Sequence, residues 1–217
     1  ALALCEWGGT FGRHADPIAA MRVSVDIEAG GERELAFAIA VDRSRDGTLL
    51  ASASSDHTAR LWNPDTRAEI ATLEGHTGDV TSVAVSPDGH RIATASKDGS
   101  VRVWTRNGDC LLVAAHHGVG VNAVAWFPDG RRLAAASDDH TVSIFDSRTG
   151  RIRRVLEGHS DAVEHVAVYT DGILLVSASR DGSVGIWNAA TGADLAMLPL
   201  GFVDARTGVV ARDSVAA

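Results

Sequence analysis

Apolar residues along this chain come in short runs, alternating with polar residues or rich in β-branched ones, and each run ends in a cluster of Asp, Asn, Gly, Ser or Pro. That is the pattern of strands joined by tight turns, and helical periodicity is absent throughout. Between residues 77 and 117, Val80 to Val85 is a β-branched run closed by Ser86-Pro87-Asp88-Gly89, where Pro fixes one turn dihedral and Gly accepts a positive φ. Arg91 to Ser96 reads as a second strand, Lys97-Asp98-Gly99-Ser100 as a turn, Val101 to Trp104 as a third strand and Cys110 to Ala114 as a fourth. Met21 to Glu28 also alternates, with Met21, Val23, Val25 and Ile27 on one side, and predicts a half-buried strand.

The unit repeats. Asp-Gly pairs end at Gly47, Gly89, Gly130 and Gly172, which are 42, 41 and 42 residues apart. Trp62, Trp104, Phe145 and Trp187 keep the same step, each six residues after Asp56, Asp98, Asp139 and Asp181. Two landmarks in register over a period of this length indicate a repeat architecture of four-stranded antiparallel units.

These residues resemble the WD40 family. The resemblance rests on Gly75-His76 and Gly158-His159 ahead of a first strand, Ser-Pro-Asp-Gly at 86 to 89, Ser-x-Asp at 54, 96, 137 and 179, and the aromatic closing each third strand, over roughly residues 35 to 201. The family's Trp-Asp pair is not literal, since Asn63, Thr105 and Asn188 follow the tryptophans and only Phe145-Asp146 keeps the acid. The resemblance implies an all-β fold, a WD40-type β-propeller with four clear blades at 35–76, 77–117, 118–159 and 160–201. Residues 1–34 then read as a degenerate or partial blade, with the strand near 21–28 as the last strand of a preceding or closing blade, and 202–217 as a tail or partial strand. Such rings usually have about seven blades, so the expectation is an incomplete part of a larger propeller. Association of copies through open flanks, and a ring closing on four or five blades, stay open.

The recurring Ser, His and Asp invite comparison with a catalytic triad, but the resemblance implies hydrogen-bonded structural tetrads. They are His76, Ser96, Asp98 and Trp104 in the second unit, and His159, Ser179, Asp181 and Trp187 in the fourth. The third has His117, Ser137 and Asp139 with Phe145, which cannot donate, so its network is expected to be truncated. The first has Ser54, Asp56 and Trp62, with Glu34 in the place of the histidine. The first and third blades are therefore expected to be the weaker ones. A nucleophilic site would not need one set per blade, and no strained GxSxG elbow accompanies these residues.

Composition narrows the function. A formal charge of −8 with no basic stripe disfavours nucleic acid and anionic membrane surfaces as partners. Cys5 and Cys110 are far apart and form no CxxC, so neither a disulfide framework nor a zinc site is suggested and a reducing cytoplasm is expected. Only Lys97 among the 20 basic residues is lysine, a GC-rich and bacterial bias. Asp42 to Gly47 imitates the start of an EF-hand loop, but its twelfth position is Ala53, and Gly118-Val119-Gly120 lacks a third glycine, so no metal or cofactor is expected.

The expected function is a non-catalytic protein-interaction scaffold or sensor module within a larger protein, with a propeller enzyme or a self-associating structural module as the alternatives. The turn between the second and third strands shares a face with the loop entering the first. Candidate contacts for a protein or peptide partner there are Asp79, Thr81, Lys97, Asn122, Asp138, Glu164 and Arg180. On the opposite face Phe127 and Tyr169 stand where the second unit has Ser86, and both are expected to pack on the next blade.

Overall fold

The computed structural model describes residues 18–27, 31–44, 47–115 and 118–199. Among these residues seventeen strands form four antiparallel sheets, each a meander of sequential neighbours. The first contains β1 (Ile18–Ile27), β2 (Gly31–Ser44), β3 (Gly47–Ala53), β4 (Ala59–Asn63) and β5 (Ala68–Leu73). The second contains β6 (Val80–Val85), β7 (Arg91–Ser96), β8 (Ser100–Thr105) and β9 (Cys110–Ala115). The third contains β10 (Val121–Trp126), β11 (Arg132–Ser137), β12 (Val142–Asp146) and β13 (Ile152–Leu156), and the fourth β14 (Val163–Val168), β15 (Leu174–Ser179), β16 (Ser183–Asn188) and β17 (Asp194–Pro199).

Turn chemistry sets this spacing. Gly89, Gly130 and Gly172 donate to the carbonyls of Ser86, Phe127 and Tyr169 at 2.8, 2.9 and 2.8 Å, closing four-residue turns with the glycine at φ of 71°, 62° and 67°. In the turns β7–β8 and β15–β16 the left-handed position is Gly99 or Gly182, but in β3–β4 and β11–β12 it is His57 (φ 70°) and His140 (φ 72°).

The inner strands β2, β6, β10 and β14 pack in succession, and the sheets face one another as blades of an incomplete, unclosed propeller. Each core cluster straddles two blades. Leu49, Ala51, Leu61 and Leu73 of the first meet Val83, Ile92 and Trp104 of the second. Ala93, Val101 and Val103 of the second meet Val124, Leu133 and Phe145 of the third. Phe127, Ala134, Ile144 and Leu156 of the third meet Val166, Leu175 and Trp187 of the fourth. In the second and third blades, alternation along the inner strands thus sends one face to the preceding blade and the other to the following one.

Two expectations change. The strand read as the outer strand of another blade, β1, instead pairs with β2 from Ile18↔Ala40 to Ile27↔Gly31, and β2 begins at Gly31, ahead of the boundary drawn at 35. An alternating run fixes which side chains share a face but says nothing of which edge accepts the strand. Residues 1–17 and 202–217, and His117, lie outside the described residues.

Candidate functional site

The second blade shows the recurring polar network most fully. Trp104 Nε1 donates to Thr94 Oγ1 at 2.9 Å, and that hydroxyl lies 2.7 Å from His76 Nε2. His76 Nδ1 lies 2.9 Å from Asp98 Oδ2, which also accepts from the Thr77 amide at 3.0 Å, while Ser100 Oγ donates to Oδ1 at 2.6 Å. Because an indole only donates and a carboxylate only accepts, the direction of each bond follows. Thr94 receives the indole proton and gives its own to Nε2, and a neutral imidazole passes Nδ1–H to Asp98. The imidazole edge also meets the indole at 6.2 Å between centroids. The fourth blade repeats the arrangement, with Trp187 to Ser177 at 2.8 Å, Ser177 to His159 at 2.7 Å and His159 to Asp181 at 3.0 Å.

The hydroxyl in this chain is therefore Thr94 or Ser177, not Ser96 or Ser179. In the first blade it is Ser52, not Ser54, since Trp62 Nε1 donates to Ser52 Oγ at 3.0 Å. Residues two apart on a strand share a face, so both serines of an alternating strand were compatible with the pattern. The serine of each Ser-x-Asp has another task. Ser96, Ser137 and Ser179 donate to Gly78 O, Gly120 O and Asp161 O at 3.0, 3.2 and 2.9 Å and accept from the turn amides of Asp98, Asp139 and Asp181. They tie the loop entering the blade to the turn between its second and third strands. Sequence reasoning also passed over the hydroxyl two residues beyond each turn aspartate, although Thr58, Ser100, Thr141 and Ser183 all bond that carboxylate and keep the period.

In the third blade the position of Thr94 is taken by Ala135, diagonal to Phe145 across the ladder, and both are fully buried. Donor and acceptor are absent together, so at this pair the expected truncated network is an apolar contact. The first blade keeps Trp62 on Ser52, while Asp56 turns outward to Thr58 Oγ1 at 2.6 Å and Arg60 at 2.8 Å.

Charge states follow. Burial pushes His76 below the usual imidazole value, overcoming the opposing pull of Asp98. Burial raises the Asp98 and Asp181 carboxyls, but the bonds from Ser100, Thr77 and His76, and from Ser183, Ser160 and His159, outweigh it and hold both well below the ordinary carboxylate range. Asp56 is lowered to about 2, its burial outweighed by Thr58, Arg60 and Ser54. The Thr94 hydroxyl is buried and already occupied as acceptor and donor, so this relay ties the entering loop to the strands of its own blade and leaves that hydroxyl no exposed lone pair or free proton for attack.

The candidate contact residues lie at the same end of the blades as the tetrads, and the structure divides them. Blades two to four each carry a register shift early in the first strand, between Val80 and Ser82, Val121 and Ala123, and Val163 and His165. Thr81, Asn122 and Glu164 are the extra residues of these bulges, which turn a side chain out of the ladder. Thr81 Oγ1 lies 2.6 Å from Val121 O and 3.1 Å from Ala95 O, its single proton serving one at a time, and Asn122 Nδ2 donates to Val163 O at 2.9 Å. Both are clasps to the next blade rather than free contacts. Lys97 crosses to the third blade, reaching Asn122 Oδ1 at 2.6 Å and Asp138 Oδ2 at 2.9 Å. Asn122 also donates to Asp138 Oδ1 at 2.7 Å, Arg180 pairs with Glu164 at 2.6 Å, and Asp79 stands 3.5 Å from His57.

A family model described as WD domain, G-beta repeat matches residues 37–63, 67–105, 108–146 and 150–188, well over half of the chain. Its second match runs from β5 through β8, so the sequence unit takes the outer strand of one blade and the first three of the next. With four matches in register with four sheets, the chain belongs to the WD40-repeat family.

Proposed function

We propose that this chain is a protein-interaction scaffold or sensor module, working as part of a larger protein, and that its contact surface is the face carrying Lys97, Asp138, Glu164 and Arg180. The observation that carries the reading is the strip these residues form across three blades, held from beneath by the bulge clasps of Thr81 and Asn122. WD40 repeats generally serve as platforms for protein partners, and function resides on such surfaces rather than in the fold. Lys97 and Arg180 are substantially exposed while their partners Asp138 and Glu164 are more covered. A protein or peptide bearing charges of both signs would exchange these pairs for its own at little electrostatic cost. The exposed free thiol of Cys110 supports a reducing cytoplasm as the setting.

The test is affinity capture on the immobilised chain with three variants. Proteins retained by the wild type should be lost on the double variant Lys97→Glu/Arg180→Glu and kept by Arg131→Glu, which alters the opposite end of the blades. Retention of the same proteins by all three, or capture of none, would sink this reading.

A further inference from the structure

Between the second and third blades, at the end away from the charged face, lies a groove of about 870 Å³, a volume in the range of small-molecule sites. Pro87, Arg91 and Leu111 line it from the second blade, and Pro128, Arg131 and Arg148 from the third. Arg91 crosses between the walls and is fixed there, its guanidinium donating to Gly130 O at 2.6 Å and Ser147 Oγ at 3.1 Å.

Arg131 and Arg148 are held differently. Their backbone amides donate to Asp129 Oδ1 at 2.8 Å and Asp146 Oδ1 at 3.0 Å, while both residues are exposed and neither guanidinium enters an ion pair among the described residues. The repeat does not call for a cation at either place. The position after the Asp-Gly turn and the position three beyond the third-strand aromatic are Thr48 and Asp65 in the first blade, His90 and Asn107 in the second, and Ile173 and Ala190 in the fourth. A blade of this chain therefore forms without these arginines, and the two lie together only where the groove is.

The carboxylates of the groove are already answered. Asp129 Oδ2 accepts from Arg132 Nε at 2.7 Å, and Asp88 Oδ2 lies 3.7 Å from Arg91 while its other oxygen accepts from the Ser86 hydroxyl and the His90 amide. The positive charge left over is that of Arg131 and Arg148, in a chain whose formal charge is −8. Guanidinium forks match the oxygens of a phosphate bidentately, and the two prolines with the exposed Leu111 set an apolar wall beside them. We propose that this groove binds a small soluble phosphate monoester, its dianionic head on Arg131 and Arg148 and its organic part against Leu111, Pro87 and Pro128. This inference stands apart from the scaffold reading, since Arg131→Glu should lose the ester while keeping the protein partners of the other face.

Isothermal titration with phenyl phosphate at about 0.15 M salt tests it, where charges beyond the groove are largely screened. Phenyl phosphate should saturate one site and bind at least about tenfold more tightly than inorganic phosphate, which lacks the ring, or benzoate, which carries one charge. Arg131→Gln/Arg148→Gln should weaken it at least about tenfold. Arg67→Gln/Arg154→Gln, an equal loss of charge from exposed arginines outside the groove, should bind as the wild type does. Circular dichroism and urea midpoints establish that the variants are folded. No saturation by phenyl phosphate up to about 10 mM overturns the proposal, as does equal weakening by the two double variants, which would mean attraction to charge in general. Equal affinity for inorganic phosphate or benzoate overturns the organic dianion as the ligand, and cosedimentation with vesicles containing phosphatidic acid overturns a soluble ester in favour of a lipid headgroup.

Discussion

Two residue-scale features set testable costs. His140 holds a left-handed φ of 72° where the second and fourth blades use glycine. That conformation costs an L-residue roughly 1–2 kcal/mol, offset in part by the extra freedom glycine has when unfolded. His140→Gly should therefore raise stability by about 0.5–1 kcal/mol, read as a higher urea midpoint at unchanged slope. The second feature is the pairing of Thr94 with Trp104 against that of Ala135 with Phe145. Thr94→Ala strands the indole N–H and should cost about 1–3 kcal/mol, whereas Thr94→Ala/Trp104→Phe removes donor and acceptor together, as the third blade does. The double variant should be less destabilised than the two single costs added, by roughly 0.5–2 kcal/mol; strict additivity would mean that the indole bond contributes nothing. The period made the aromatic, the aspartate and the histidines legible in the sequence. It could not choose between Thr94 and Ser96, which alternate onto the same face of β7, because that choice depends on how far the Trp104 ring reaches diagonally across the ladder.

At the scale of the element, each blade is a meander whose two ends do different work. At the end bearing Asp98 the entering loop is tied down by Ser96 on Gly78 O and by Asp98 on the Thr77 amide. At the other, Arg91 spans to Gly130 O at 2.6 Å and Ser147 Oγ at 3.1 Å, its guanidinium 4.8 Å from the Trp126 ring centroid. Protons act on the first end. His76 is lowered from 6.5, so the unfolded chain binds a proton more readily than the folded one, and the stability this histidine contributes is complete above that value and lost as pH falls below it. Asp98 is lowered from 3.8, so its contribution is present above that value and lost as pH falls further. Urea midpoints should accordingly decline in two stages on acidification, the first starting near the histidine value. His76→Gln should lower stability at neutral pH but flatten the first stage, and an unchanged profile would show that His76 is not the group responsible. The bulges were not legible in the sequence. Thr81, Asn122 and Glu164 look like ordinary polar residues of an entering loop, and only the strand register reveals that the first two are turned onto a neighbouring blade.

For the whole molecule, the difference between interior and terminal blades outweighs any difference between repeats. In the sequence Phe127 and Tyr169 are equivalent aromatics after a first strand, and both were expected to pack on the next blade. Phe127 does, in the cluster with Leu175 and Trp187, and its ring lies 4.0 Å from the Arg132 guanidinium. Tyr169 occupies the same place in its repeat but is 61% exposed, because position in the array, not the local pattern, decides what a flank meets among the described residues. Removing each ring should therefore have unequal effects. Phe127→Ala empties a fully buried site between two blades and should cost about 3–5 kcal/mol, while Tyr169→Ala trims an exposed ring and should stay within about 0.5 kcal/mol in the isolated chain. The same reasoning orders hydrogen exchange. The backbone amides of β14–β16, packed on one side only, should open at lower free energy than those of β10–β12, packed on both. Equal protection of the two blades, or equal costs for the two ring deletions, would show that the exposed flank of the fourth blade leaves it no weaker than the third.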